Sequence, residues 1–253
     1  NSWNNHKVNI PGKTKLLAAV KMTLELYNLD QKSGYEIILH SDLPIGKGMA
    51  SSTADMTGAI IATGLLNDRF LSEEEIAKVL LKIEPSDGIF YPGIVAFDHI
   101  HGSYYEKVGD AFPANFLIYD YGGEVDTVKF NSDPDLKKKN IEKIPVIEKA
   151  YFLLKESFNE KDIVKLGRAI TMSSLENQKI LYKDNLDELI KISLENKAYG
   201  VNVAHSGTLI GILNDKKTNL ENIKLIIEKE YPNLTCLGNF KLVNGGYEYE
   251  IRR

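Results

Sequence analysis

The sequence predicts an α+β protein with two domains, and three observations support this class. Helix-like and strand-like hydrophobic patterns both recur along the 253 residues. A glycine loop joins a predicted strand to a predicted helix near residue 46. The second half combines several helices with strands that end the chain, which suits helices packed on an antiparallel sheet. A chain of this length can form two cores, and we place the boundary so that residues 1–110 form a first domain and residues 111–253 a second.

The first domain is predicted to hold helices and one strand around the glycine loop. Apolar residues at three- and four-residue spacing indicate the helices, and alternation of apolar and polar residues indicates the strand. Ser72 and Glu75 fit a capping box, in which each side chain bonds the backbone N–H of the other residue. The predicted ranges are a helix from Thr14, a strand over 35–40, a helix from the loop to Leu66, and a helix over 72–83.

The helix after the glycine loop carries a stripe of small residues. Ala54, Gly58 and Ala62 recur every four residues and therefore share one face of the helix. Small side chains at this spacing let a neighbouring element approach closely. We expect this stripe to pack in the core.

The second domain is predicted to alternate between helices and strands. Gly245 and Gly246 lie between two short strand-like segments, which favours a hairpin turn. The predicted strands are 115–119, 208–213, 238–243 and 247–251, and the predicted helices are 143–158, 161–176, 185–197 and a segment around 220–227.

Composition limits the classes of function. The net charge of −4 gives no basic footprint for nucleic acid, and Cys236, the single cysteine, cannot form an internal disulfide or a cysteine metal cluster. The absence of disulfides fits a reducing cytosol. No apolar run reaches membrane-spanning length and no signal-peptide pattern opens the chain, so we expect a cytoplasmic protein without a membrane partner, acting on a small molecule. The oligomeric state is not indicated.

The most informative segment is the glycine loop, Asp-Leu-Pro-Ile-Gly-Lys-Gly-Met-Ala-Ser-Ser-Thr-Ala-Asp at 42–55. Glycines let a backbone approach a ligand closely, and a helix start presents unpaired N–H groups that favour phosphate. The Walker A pattern does not fit, because Gly48 follows Lys47. An ordinary turn with a serine N-cap is the alternative. The predicted nucleotide-phosphate site comprises Pro44, Ile45, Gly46, Lys47, Gly48, Met49, Ala50, Ser51, Ser52, Thr53 and Ala54.

Two acidic residues follow the helix that ends near residue 83. Phosphoryl transfer needs a divalent metal and a group that orients or deprotonates the attacking hydroxyl. Mg²⁺ prefers oxygen ligands and takes few carboxylates beside phosphates, so Glu84 with Ser51 or Ser52 is the predicted metal site. Asp87 is the predicted catalytic residue. The alternative is that Asp87 only forms a local turn and that Glu84 is a solvated helix end.

Two further segments are candidates for substrate contact. Asp98 and His99 follow Pro92-Gly93 in a segment rich in polar and aromatic residues. His205 and Ser206 lie in a stretch of small and hydroxyl residues between apolar strands. A buried, hydrogen-bonded His205 is the alternative, and a metal site at His99 and His101 lacks an evident third ligand.

Several segments together resemble the GHMP small-molecule kinases, and within that family the L-threonine kinases of cobalamin biosynthesis. The resemblance implies an amino-terminal domain like the second domain of ribosomal protein S5 and a ferredoxin-like carboxyl-terminal domain, with ATP and substrate meeting between them. It also implies ATP and Mg²⁺ as cofactors and transfer of the γ-phosphoryl group to the hydroxyl of L-threonine. The matching segments are residues 46–55, 83–87, 97–99, 202–207 and 243–246.

Motif positions carry the family roles onto this sequence. The resemblance implies that residues 44–54 hold the phosphates, that Ser51 or Ser52 with Glu84 holds the metal, and that Asp87 serves the substrate hydroxyl. Residues 204–207 take the place of the third, glycine-rich family motif.

The sequence departs from the family at its start. The family carries a first motif near the amino terminus, a Pro-x-Ser-Cys-Gly-Glu-like hairpin, which residues 1–6 do not match. We therefore expect the first domain of this chain to be truncated. Two other functions remain open: a GHMP kinase for another small alcohol, of homoserine or mevalonate type, and a catalytically silent nucleotide-binding module.

Overall fold

The computed structural model describes residues 7–8, 14–29, 36–123 and 134–251. Its contacts divide the chain into two compact units. Unit 1 takes its described residues from the chain up to Pro44, from Ala50–Lys107 and from Gly245 onward, whereas unit 2 comprises Ile45–Met49 and Val108–Asn244. The division after Lys107 lies close to the predicted boundary at residue 110. The glycine loop and the final segment, however, group with the unit opposite to the one expected from their sequence position.

Unit 1 is built around helices with two short pairs of strands. The predicted helices at Thr14 and up to Leu66 are confirmed, and the capping box forms, with the Ser72 N–H 3.0 Å from Oε2 of Glu75. The strand predicted over 35–40 is shorter, and Tyr35 lies outside the described residues. The elements are β1 (Lys7–Val8), α1 (Thr14–Leu26), β2 (Glu36–Ile37), α2 (Ser51–Leu66), α3 (Glu73–Leu80), β3 (Ile94–Phe97) and β4 (Tyr105–Gly109), which leads into unit 2.

The face of α2 that enters the core is not the predicted one. Met56 and Ile60 are fully buried, whereas Gly58 and Ala62 are exposed. The prediction that the small-residue stripe packs in the core was therefore wrong. Burial of large apolar side chains removes more apolar surface from water than burial of alanine or glycine, so the helix turns its larger side chains inward. The small residues instead line two grooves of about 560 and 760 Å³ within unit 1.

Unit 2 is a four-stranded antiparallel sheet with helices. In space the strands follow the order β6-β7-β5-β8, and each neighbouring pair is antiparallel. None of the helices in the described ranges is long and apolar enough to span a membrane. The elements are β5 (Asn115–Asp120), α4 (Leu136–Glu160), α5 (Ile163–Asn177), α6 (Leu186–Glu195), β6 (Gly200–Val203), β7 (Leu209–Asn214), α7 (Leu220–Glu230) and β8 (Thr235–Lys241).

The sheet of unit 2 has the ferredoxin-like topology that the sequence resemblance implies. Counted along the chain, its strands lie in the spatial order second, third, first, fourth, with helices after the first and third. The buried side chains of Leu117 and Ile212 from the sheet pack in one cluster with Leu189 of α6 and Ile223 of α7. The predicted α+β class is confirmed.

The prediction of a carboxyl-terminal hairpin with its turn at Gly245 and Gly246 was wrong. No strand is formed by residues 247–251. The N–H of Gly245 donates to the Gly93 carbonyl at 2.9 Å, and the N–H of Gly246 donates to the Ile89 carbonyl at 2.8 Å. The glycines thus attach the end of the chain to unit 1 instead of turning it back on β8.

Candidate active site

The glycine loop leads into α2 through several residues with left-handed backbone conformation. Gly46, Gly48 and Ala50 have φ values of 70°, 93° and 53°. Ala50 is the N-cap of α2, and no side chain caps the helix start. The serine N-cap that was the alternative prediction is therefore not formed. An uncapped helix start keeps unpaired N–H groups and a partial positive charge, which together suit an anion.

Lys47 anchors the loop within unit 2 through both its side chain and its backbone. Its Nζ lies 2.8 Å from Oδ2 of Asp120 and donates to the carbonyl of Gly123 at 2.6 Å. Its carbonyl accepts the N–H of Thr208 at 3.1 Å. The sequence predicted Lys47 as a phosphate-binding residue, and the structure places its ammonium group on a carboxylate.

Two glycines allow the loop to lie directly against residues 204–208. A Cβ added to Gly48 would lie 2.6 Å from Cβ of Ala204, and one added to Gly207 would lie 2.2 Å from the carbonyl oxygen of Lys47. Such contacts leave room only for a hydrogen at these positions. The structure thus brings together two of the predicted motif segments. His205, which lies in the second of them, is exposed, and Ser206 is half-buried.

The segment from Glu84 to Asp87, called the acidic turn below, is bonded to the first turn of α2 within unit 1. Oγ of Ser52 donates to Oε1 of Glu84, and Nζ of Lys15 lies 2.5 Å from Oε2 of the same carboxylate, whose side chain is 8% exposed. The N–H of Asp87 donates to Oγ1 of Thr53 at 3.3 Å. Glu84 is therefore not a solvated helix end, which was the alternative. The side chain of Asp87 stays exposed.

Two of the predicted metal ligands, Ser52 and Glu84, are joined by a hydrogen bond. Ser51 is buried and precedes Ser52, whose hydroxyl bonds Glu84. In the described ranges no group of three or more histidine, cysteine or acidic side chains could hold a metal by itself. One carboxylate with hydroxyl groups still fits Mg²⁺, because this ion keeps waters and phosphate oxygens as its other ligands.

Asp98 organises its own loop. Its Oδ1 accepts the N–H groups of Ile100 and His101 at 3.0 and 3.1 Å, and its Oδ2 accepts the N–H and hydroxyl of Ser103 at 3.2 and 2.5 Å. These hydrogen bonds hold the pKa of Asp98 well below its usual value, and the bond from the Ser103 hydroxyl has the largest effect. The carbonyl of His99 accepts the N–H of Ser86 at 2.9 Å, which ties this loop to the acidic turn. Direct contact of Asp98 or His99 with substrate stays a prediction.

We expect Asp98→Asn to destabilise the fold by about 1–3 kcal/mol at neutral pH, because the amide nitrogen cannot accept the bonds from Ser103. The folded pKa is lowered, so the stabilisation is present above the unfolded pKa of about 3.9 and is lost as pH falls through the folded value. Urea unfolding at a series of pH values should show the gap between the two proteins closing in acid. Asp42→Asn, at an exposed position, is the control. A gap of constant size down to about pH 2 would contradict this explanation.

The sequence reasoning missed three residues that the structure places around these motifs: Lys15, Asp120 and Lys183. Oδ1 of Asp120 accepts the hydroxyl of Thr208 at 2.5 Å. Burial acts to raise the pKa of Asp120, yet the hydrogen bonds from Lys47 and Thr208 hold it below its usual value. Lys183 is 5% exposed and donates to the carbonyl of Gly207 at 2.6 Å, and burial lowers its pKa. The position of Asp120 directly after the strand predicted over 115–119 was a usable signal, whereas no pattern marks Lys15 or Lys183.

The chain is similar in sequence and in fold to several known kinases. The chain is 30% identical over 179 residues to an L-threonine kinase of Salmonella typhimurium, covering 71% of this chain and 59% of that protein. It is 28% identical over 231 residues to an L-threonine kinase of Citrobacter freundii, covering 85% of this chain and 75% of that protein. Phosphomevalonate kinase of Streptococcus pneumoniae, solved with phosphomevalonate and AMPPNP, has a similar fold, with a TM-score of 0.69 and 12% identity over 94% of this chain and 86% of that one.

Two family models match along the sequence. The model of the GHMP kinase N-terminal domain matches residues 14–91, and the model of the GHMP kinase C-terminal domain matches residues 154–233. The first match contains the glycine loop and the acidic turn, and the second contains Lys183 and residues 204–207. Together they span more than half of the sequence, so the chain belongs to the GHMP kinase family.

Proposed function

We propose that this protein is an ATP-dependent kinase that phosphorylates the side-chain hydroxyl of L-threonine, giving O-phospho-L-threonine for cobalamin biosynthesis in the cytoplasm. GHMP kinases are ATP-dependent phosphotransferases, and two relatives named L-threonine kinase support the substrate. The observation that carries the proposal is the uncapped start of α2, which directly follows the glycine loop and bonds Glu84 through Ser52. The chain spans 59% of the Salmonella relative, so activity of the whole protein is part of the proposal.

In this function residues 44–54 bind the triphosphate of ATP. The N–H groups at the start of α2 have no side-chain cap, so they can donate to phosphate oxygens without first breaking a bond within the protein. The helix dipole adds to this attraction. The left-handed conformations at Gly46 and Gly48 turn the backbone between the strand and the helix.

Glu84, Ser51 and Ser52 would hold Mg²⁺ beside the phosphates. When bound, the ion supplies positive charge that neutralises the oxygens of the transferred phosphoryl group. Glu84 is suited to this role because its carboxylate is buried and already oriented by Ser52 and Lys15.

Asp87 would orient the threonine hydroxyl or accept its proton. Its backbone is fixed to Thr53 in α2, whereas its carboxylate is exposed and can reach a substrate. His205 and Ser206 are proposed to contact the amino acid, since they lie in the segment that contacts the glycine loop. Asp98 and His99 are proposed to shape the substrate side of the acidic turn through the loop that Asp98 closes.

A panel of acceptors tests the proposed substrate. The protein is incubated with ATP and Mg²⁺ and with threonine, serine, homoserine or mevalonate, and ADP release is followed with the product identified by mass spectrometry. We expect the highest kcat/KM for threonine, with serine lower by about 10–200-fold because it lacks one methyl group. Faster reaction of homoserine or mevalonate would contradict threonine as substrate. Binding of AMPPNP without turnover of any acceptor would indicate a silent nucleotide-binding module.

We expect Glu84→Gln to raise the Mg²⁺ concentration needed for half-maximal activity by about tenfold, which corresponds to roughly 1.4 kcal/mol. The reason is that an uncharged amide attracts the ion far less than a carboxylate does. Calorimetry of AMPPNP binding over a Mg²⁺ series provides a second measurement that is independent of turnover.

The matched control is Glu74→Gln, which makes the same change at an exposed position in the first turn of α3. An unchanged Mg²⁺ requirement in Glu84→Gln would show that Glu84 is not a metal ligand. Ser52→Ala should shift the requirement in the same direction, since Ser52 orients this carboxylate.

A further inference from the structure

A closed cycle of bonds surrounds Lys47 in unit 2. Nζ of Lys47 lies 2.8 Å from Oδ2 of Asp120, and Oδ1 of Asp120 accepts the hydroxyl of Thr208 at 2.5 Å. The N–H of Thr208 then donates to the carbonyl of Lys47 at 3.1 Å. Three points distant in sequence are thereby joined: the glycine loop, the end of β5 and the residue before β7.

This ion pair is shielded from solvent and well hydrogen-bonded. The side chains of Lys47 and Asp120 are 19% and 11% exposed. Asp120 also accepts the N–H of Gly122 at 2.9 Å, and Lys47 also donates to the carbonyl of Gly123. Exposed ion pairs are worth little and change geometry freely, whereas a shielded pair with its hydrogen bonds satisfied keeps one arrangement.

A second contact fixes the same stretch from the opposite side. The buried ammonium group of Lys183 donates to the carbonyl of Gly207 at 2.6 Å, and the next N–H, that of Thr208, donates to the carbonyl of Lys47. Both polar groups of the peptide between Gly207 and Thr208 are therefore engaged. The surface against which the glycine loop lies is itself held in place.

We propose that Asp120 is a positioning residue that, through Lys47 and Thr208, holds the glycine loop in its nucleotide-binding conformation before the nucleotide arrives. The inference rests on the proposed function in that ATP phosphates bind at residues 44–54. A loop that is already ordered loses less conformational freedom on binding, which increases affinity. In this role the ammonium group of Lys47 faces Asp120, and the backbone amides of the loop serve the phosphates.

The test compares two variants that break the cycle with two that keep it. Asp120→Asn removes the charge, and Thr208→Val removes the hydroxyl while keeping the shape of the side chain. Thr208→Ser keeps a hydroxyl at position 208. Asp187→Asn removes the same negative charge as Asp120→Asn, but at an exposed position of α6. Amide hydrogen exchange is measured on the nucleotide-free protein, and AMPPNP affinity is measured by calorimetry.

We expect exchange over residues 45–49 to become at least about tenfold faster in Asp120→Asn and Thr208→Val, with the Kd for AMPPNP rising by about tenfold. Thr208→Ser and Asp187→Asn should match the unaltered protein in both measurements. In turnover, KM for ATP should rise more than kcat falls, because the chemical groups of the acidic turn are untouched.

Several results would overturn the inference: unchanged exchange in the loop, equal acceleration in the loop and in β7, or a loosened loop with unchanged AMPPNP affinity. If Asp120→Asn does not fold, Thr208→Val decides, since it leaves the Lys47–Asp120 pair in place. A loosened loop in a protein whose unaltered form binds no AMPPNP would support the positioning role of Asp120 and refute the proposed nucleotide site. The two ideas are thus separated by the nucleotide-free measurement.

Discussion

Replacing Asp87 with asparagine is expected to lower kcat by about 10²–10⁴-fold, which is the range that one positioned acid–base group contributes. Asparagine keeps the size of the side chain but cannot take the proton of the attacking hydroxyl. The backbone N–H of residue 87 would still donate to Thr53, so the acidic turn should keep its place. Initial rates with saturating threonine, followed by ADP release, measure the effect.

ATP affinity distinguishes the proposed catalytic role of Asp87 from a role in phosphate binding. We expect the Kd for AMPPNP to change by less than about threefold, far below the loss in kcat. Asp187→Asn, the same change at an exposed position of α6, is the control and should leave both quantities unaltered. A loss of nucleotide affinity as large as the loss of kcat would place Asp87 among the phosphate ligands.

Gly207→Ala is expected to raise the KM for ATP by about a hundredfold. The new Cβ would lie 2.2 Å from the carbonyl oxygen of Lys47 and 2.6 Å from Cα of Gly48. Both are backbone atoms, so no side chain can rotate away and the loop itself must move. Overpacking of this kind costs about 1–3 kcal/mol, and each 1.4 kcal/mol is a factor of about ten.

Gly211→Ala separates loop displacement from general destabilisation. It makes the same substitution within β7, where the three atoms nearest to the new Cβ belong to side chains, the first being Oδ1 of Asn202 at 2.4 Å. We expect this variant to lose thermal stability while it keeps its KM for ATP. If both variants show the same KM, displacement of the glycine loop is not the cause.

Local features of the fold and site could be predicted from the sequence, because they depend on neighbouring residues. The capping box at Ser72 is fully specified by two residues three positions apart. The glycine loop and the helix after it follow from residues that adjoin along the chain, and the helical ranges follow from periodicity. Glu84 and Asp87 were proposed as site residues from their place in a proline-containing turn, and the structure shows that both bond to the first turn of α2.

Long-range contacts could not be predicted in this way. Nothing local indicates that Lys183 is buried against the carbonyl of Gly207, because a lysine in a polar segment normally lies in water. The face of α2 that enters the core was predicted wrongly for a related reason. The helix is apolar on several sides, so the choice between its faces depends on partners that a local pattern does not contain.

Residues 45–49 belong to unit 2, whereas the residues on either side of them belong to unit 1. A fragment cut at residue 110 would carry the glycine loop but neither Asp120 nor Thr208, to which Lys47 is bonded. It would also lack Lys183, which is bonded to Gly207. The complementary fragment, residues 111–253, would keep these three residues but lack the glycine loop. Each half expressed alone should therefore fail to bind nucleotide. Nucleotide binding should return only when both halves are mixed.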